Sequence, residues 1–201
     1  MTAQPNLLRQ RQLVGDQSCL LHLVTSSEIN AGCWLKVSKV RVCKFAFSYA
    51  TGMDAARKTV ETDIVRLRKY EIPIKRVARK LCLDPALIAA IISQESRVGL
   101  LLNNGWDQGR RKFGLMQVHL FGTWDSEEHI NQCSAILVAA INEVRARHPS
   151  WTWEQQLRGG ICAYRSRIGN FQVYDEDPCS RDNYYVNNII RRAQYFKRHG
   201  F

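Results

Sequence analysis

The stretch PALIAAIISQESRVG, residues 85 to 99, constrains the fold more than any other part of the chain. Leu87, Ile88, Ile91 and Ile92 recur at helical spacing and make an apolar stripe that has to be buried. Asp84 and Pro85 supply an N-cap and a first-turn proline, and Gly99 marks the end. Other helices must cover such a segment, so the sequence predicts a mainly α fold, a helical bundle around a central buried helix. Glu95 lies on the same stripe, one turn beyond Ile91 and Ile92, where the pattern asks for another apolar residue. Burial penalises the charged form of a carboxylate, and this is how a protein keeps a glutamic acid protonated and ready to act as a general acid. The alternative is a helix-end glutamate that bends to solvent or pairs with Arg97. Periodicity leaves both open.

Other helical stripes surround this one. From Met53, Ala56, Val60, Ile64 and Leu67 share a face, with Asp and Arg opposite. A short helix from Pro73 to Leu81 buries Ile74, Val77 and Leu81. A long helix starts at Asp125, with Glu128 placed for a capping box, and carries Ile130, Cys133, Leu137, Ile141 and Val144 up to the stop at Pro149. Thr152 and Gln155 repeat the capping signature ahead of Leu157, Ile161 and Tyr164. Beyond a looser stretch with Gly169 and Pro178, Val186, Ile189, Ile190, Ala193 and Phe196 form the last stripe, closed by Gly200. Between the helices, NNGWDQGRRKFGLMQV has turn-forming glycines and alternation near Phe113 to Val118, which predicts a small antiparallel β element near residues 104–118. Residues 1 to about 50 show no sustained period. They read as a frayed extension over 1–18 and then a loop-rich, cross-linked start to a single domain spanning 19–201.

The net charge of +11 favours polyanions: nucleic acid, anionic membranes or acidic cell-wall polymers. A well-solvated basic surface with no partner explains it equally well. No zinc-finger, helix-turn-helix or RNP-like signature accompanies the charge, so no specific nucleic-acid binding is expected. No apolar run approaches the ~20 residues of a membrane span. His119, His129, His148 and His199 do not form a ligand-spaced cluster, so neither a metal site nor a cofactor is expected. Seven cysteines without a CxxC pair point instead to a disulfide framework, and therefore to export. MTAQPNLLRQRQLVGDQS lacks the usual ~7–15-residue apolar core of a signal peptide, which leads us to expect an unusual start to this chain.

Six segments occur in a telling order: ALIAAIISQES, NNGW, FGLMQV, GTWDSEEHI, WTWEQQLRGGICAY and NNIIRRAQYFKRHGF. Together they resemble the goose-type lysozymes, from about Cys19 to Phe201 and most densely from Asp84 onward. The resemblance implies a lysozyme-like, mainly helical α+β fold shared with soluble lytic transglycosylases. It also implies cleavage of the β-1,4 bond between N-acetylmuramic acid and N-acetylglucosamine in bacterial peptidoglycan. Matched by position, Glu95 is the catalytic acid, Gln117 lines the cleft beside it, and Tyr164 and Tyr185 are cleft tyrosines that contact sugar or the acid itself. Trp106, Trp124 and Trp151 are stacking platforms or core residues, and Leu115 and Met116 pack in the core. The family's disulfides would pair Cys19 with Cys82 and Cys33 with Cys43. Cys162 and Cys179 lie outside that pattern and either close a third disulfide or stay separate thiols; Cys133, on its helical stripe, is then a buried free thiol.

This chain departs from the pattern where a second carboxylate would activate water, about 6.5–9.5 Å from the acid in inverting hydrolysis. His119 stands where one family aspartate follows GLMQV, and Gln108 where another follows NGW, with Asp107 one residue early. Arg165, Ser166 and Arg167 replace the family's Asn-Ala-Gly, and the connection to GTW is short. Either Asp107 or His119 then serves as base, or a substrate hydroxyl attacks as in lytic transglycosylases, or the chain binds glycan without turnover. The expectation is a secreted, monomeric, cofactor-free muramidase of reduced activity, with peptidoglycan and anionic wall polymers as partners and a catalytically impaired glycan-binding protein as the alternative.

Overall fold

The computed structural model describes residues 50–118, 122–167 and 184–201, all within the compact unit Trp34–Phe201. Among these residues the order is α1 (Ala50–Leu67), a 3-10 turn (Arg68–Tyr70), α2 (Glu71–Leu81), α3 (Pro85–Ser96), α4 (Glu127–Arg147), α5 (Trp153–Arg167) and α6 (Tyr184–Arg198). No helix among them is long and apolar enough to cross a membrane.

The predicted central helix is α3, with Pro85 through Ser93 buried without a break. It lies against α6, α2 and α1, while α4 pairs with α5 and also meets α2. Each fully buried Leu or Ile contributes about 1.5–3 kcal/mol, so α3 anchors the bundle. Its N-cap forms as predicted, the Asp84 carboxylate accepting the Ala86 N–H at 3.0 Å. The same carboxylate pairs with Lys197 of α6. Further along, Arg192 of α6 donates to Ser93, and Tyr185 of α6 reaches Glu95, so α6 runs antiparallel to α3.

Several expectations change. Asp63 does not lie on a solvent face: it is fully buried between Val60 and Leu67, which are one turn away on the same side of α1. Its charge is met by Arg97, Arg192 and Arg66. The cap of α4 is Ser126, whose hydroxyl accepts the His129 N–H at 3.1 Å; Asp125 turns instead to Lys69 and Tyr70. The Thr152–Gln155 capping box forms as written. The β element near 104–118 is not a sheet. Two isolated antiparallel bridges, Asn103 with Trp106 and Trp106 with Phe113, are all that form there among the described residues. Positive φ at Asn104, Gly105, Arg110, Gly114 and Gln117 repeatedly turns the backbone out of the extended region.

Cys133 is buried and free, and burial pushes its thiol up to about 12. Cys82 and Cys162 are not free thiols. Their expected partners Cys19 and Cys179, together with Cys33, Cys43 and residues 1–18, lie outside the described residues.

Gly159 and Gly160 let α5 close onto α4. A Cβ on Gly160 would come 2.7 Å from the Ile141 backbone and 2.3 Å from its side chain. Gly160→Ala is therefore expected to force the helices apart and cost about 1–3 kcal/mol, read as a lower urea midpoint. An unchanged midpoint would mean that this close approach is not needed.

Candidate active site

Glu95 sits in the last turn of α3, its side chain 8% exposed. Beyond it the chain turns sharply, with Arg97, Val98 and Gly99 at φ of 53°, 58° and 84°. For a β-branched residue such as Val98 that conformation is strained. Two side chains hold the turn. Ser96 donates to the Leu115 carbonyl at 2.8 Å and accepts the Gly99 N–H at 3.0 Å. Arg97 reaches back from the turn to Asp63, donating from Nε at 2.9 and 3.0 Å. Arg97 is thereby committed to Asp63, and the ion pair with Glu95 that periodicity left open does not form.

Among the described residues, two polar groups meet Glu95. Tyr185 of α6 donates its hydroxyl to Oε1 at 2.5 Å. Its phenol is held well above its usual pKa, first by burial and then by the Glu95 charge, so it remains a proton-bearing donor. On the other side, Lys112 Nζ stands 3.8 Å from Oε2. Lys112 closes the loop that starts at Asp107, and sequence reasoning missed it. The only signal was its place in the cationic run Arg110–Arg111–Lys112.

The Asp107 carboxylate accepts the Arg111 and Lys112 amides at 2.7 and 3.0 Å, while its own N–H donates to the Lys112 carbonyl at 3.0 Å. The Lys112 amide, first among these contacts, holds the Asp107 carboxyl below its usual pKa. Gln117 is buried with φ of 57°, its side-chain amide donating to the Gly114 carbonyl at 2.8 Å. Tyr164 is fully buried and donates to the Met116 carbonyl at 3.1 Å. Tyr164 thereby ties the 114–117 loop to α5, and Gln117 closes the loop on itself. Trp106 packs on Phe113 with ring centres 4.9 Å apart, whereas Trp151 stacks on His148 at the α4–α5 corner. Leu115 and Met116 are core residues, as predicted. His119 lies outside the described residues. No group of three His, Cys, Asp or Glu able to hold a metal occurs among the described residues.

His129 supports the loop from α4. Its ring accepts the Met116 N–H at 3.4 Å and leaves no room for a side chain at Gly114, where a Cβ would meet the ring at 2.1 Å. Burial, opposed by the Asp125 charge, holds this imidazole below its usual pKa. The unfolded chain therefore binds the extra proton first as pH falls below about 6.5. Stability is expected to be level above that pH and to decline below it. His129→Gln should lessen the fall of the urea midpoint as pH drops below about 6.5; an equal slope in both proteins would remove His129 from this role.

A sequence model of the family described as Lysozyme g matches residues 38–200. The chain is 41% identical over 184 residues to lysozyme g of Gallus gallus, covering 85% of this chain and 87% of that protein. It is 40% identical over 196 residues to lysozyme g of Struthio camelus, covering 90% and 96%. A mammalian relative, lysozyme g-like protein 2 of Mus musculus, is 40% identical over 155 residues, 75% of this chain and 71% of that protein.

Proposed function

The chain belongs to the lysozyme g family, and from that premise we propose that it is a secreted muramidase, cleaving the β-1,4 bond after N-acetylmuramic acid in peptidoglycan with Glu95 as the proton donor. The observation that carries this reading is the Tyr185–Glu95 hydrogen bond on a nearly buried carboxylate. Tyr185 fixes one oxygen of Glu95, leaving the other to face the glycosidic oxygen as the transition state develops positive charge on the sugar.

The Asp107 carboxylate is already occupied by two amides of its own loop. We assign it to shaping that loop, which leaves water activation to His119 or replaces it by attack of a substrate hydroxyl. Mass spectrometry of a peptidoglycan digest separates the two: a hydrolysed muramyl end carries one more water than an anhydro end. Cross-links of Cys82 with Cys19, Cys33 with Cys43 and Cys162 with Cys179 complete the proposal for an exported monomer, supported by neither Cys82 nor Cys162 being a free thiol.

A second reading, glycan binding without turnover, is favoured by the partners of Glu95. Among the described residues they are a phenol and an ammonium, not a second carboxylate. A digest by the unaltered protein that releases no muropeptide would establish that reading over the first.

A further inference from the structure

Tyr185 is bracketed between opposite charges. Its hydroxyl donates to Oε1 of Glu95 at 2.5 Å, and the guanidinium of Arg165 sits 4.4 Å from the centre of its ring. A cation within about 6 Å of an aromatic ring is attracted to its π electrons. The three groups come from three helices: Glu95 near the end of α3, Tyr185 in the first turn of α6, and Arg165 in the last turn of α5. Tyr164, the residue before Arg165, is fully buried and tied to the Met116 carbonyl at 3.1 Å, which anchors the turn from which Arg165 extends. Tyr185 is buried, whereas Arg165 is exposed. An exposed arginine has water as an alternative partner, so its contact with this ring is not a packing requirement. Arg165 also stands where the goose-type pattern has asparagine, so that pattern does not supply this cation. Burial and the Glu95 charge hold the phenol well above its usual pKa, and the Arg165 charge opposes them. A cation on the ring draws electron density from the phenol and makes its O–H a stronger donor.

We infer that Arg165 is a positioning residue which, through the Tyr185 ring, strengthens the hydrogen bond that stabilises Glu95 as it gives up its proton. The inference rests on the muramidase reading only for the destination of that proton. In that reaction the O–H bond of the Glu95 carboxyl breaks as the glycosidic C–O bond does. The proton passes to the leaving oxygen, its bonding pair stays on the carboxylate, and Tyr185 keeps its own proton. A hydrogen bond that strengthens as negative charge develops on Glu95 favours the transition state over the ground state. Arg165 therefore acts on kcat rather than on glycan binding.

The test compares the unaltered protein with Arg165→Gln, Arg165→Lys, Tyr185→Phe and the double variant of Tyr185→Phe with Arg165→Gln. Turnover of soluble peptidoglycan is separated into kcat and KM. The proton NMR resonance of the Tyr185 hydroxyl, identified by its loss in Tyr185→Phe, reports the strength of the hydrogen bond. Arg165→Gln should lower kcat about two- to fivefold at an unchanged KM, the size of one exposed cation–π contact, and move the resonance upfield. Arg165→Lys should recover most of both. Once Tyr185→Phe has removed the hydroxyl, Arg165→Gln should lower kcat no further. A resonance that stays in place in Arg165→Gln overturns the inference, and so does a loss of kcat equally large in the Tyr185→Phe background. An upfield shift in a protein that releases no muropeptide keeps the link from Arg165 to the Glu95 hydrogen bond and removes the muramidase reading. Muropeptide release with an unmoved resonance does the reverse.

Discussion

Glu95→Gln is expected to lower peptidoglycan turnover by about 10²–10⁴-fold while leaving the fold in place. Gln keeps an oxygen that can accept the Tyr185 hydroxyl, so the hydrogen bond linking α3 to α6 survives. What disappears is the transferable proton, and with it protonation of the leaving oxygen as the glycosidic bond breaks. The measurements are clearing of a cell-wall suspension, muropeptide release by mass spectrometry, and the thermal midpoint. Lost turnover at an unchanged midpoint supports Glu95 as proton donor. Turnover equal to that of the unaltered protein sinks that role, because no structural effect would mask it. The product from the unaltered protein adds the second half of the chemistry: hydrolysed ends require a base that activates water, whereas anhydro ends require only the substrate's own hydroxyl.

Helices were legible in this sequence wherever burial is one-sided and periodic. The stripes of α3, α4, α5 and α6 sit where the spacing of Ile, Leu and Val puts them, and the Asp84 and Thr152 caps form as written. Local pattern failed where tertiary partners decide. Phe113 to Val118 alternate like a strand, yet the segment is held in turns, with Trp124 packed on Gly99 and Gly105 from well along the chain. Ser126 displaced Asp125 as the α4 cap because Asp125 has partners, Lys69 and Tyr70, more than fifty positions away. At the site, the contact of Tyr185 with Glu95 is one that the resemblance implies, whereas the hydrogen bonds of Tyr164 and Gln117 to loop carbonyls could not be read from the motifs. Lys112 escaped notice because its meaning depends on a loop closure made by Asp107, and a cationic run in sequence looks the same whether or not it faces a carboxylate.

Asp63 is the position where the same blindness has the greatest energetic consequence, and Asp63→Ala is expected to cost about 3–5 kcal/mol. A charged residue amid an amphipathic stripe reads as solvent-facing, but here the carboxylate is fully buried and surrounded by donors: Ser93 at 2.7 Å, Arg97 at 2.9 Å, and Arg66 and Arg192 each at 3.6 Å. Replacing a whole buried ion group by well-packed apolar residues is often neutral; removing the anion alone strands the cations, of which Arg192 is 13% exposed and cannot easily turn to water. Against a typical total of about 5–15 kcal/mol for a domain, that loss is large enough to show as a collapsed urea midpoint. The isosteric Asp63→Asn variant separates stability from function. It keeps an oxygen for Ser93 and one Arg97 contact, so a folded population should persist at low temperature. Arg97 begins the strained turn two residues after Glu95, and its hold on Asp63 keeps the end of α3 wound. The folded Asn variant should therefore lose peptidoglycan turnover beyond what its unfolded fraction explains, with tryptophan fluorescence reporting the folded fraction in the same sample. Turnover that simply tracks the folded fraction would confine Asp63 to stability. An excess loss would mean that the charge buried in α1 holds the acid in α3 at its working position.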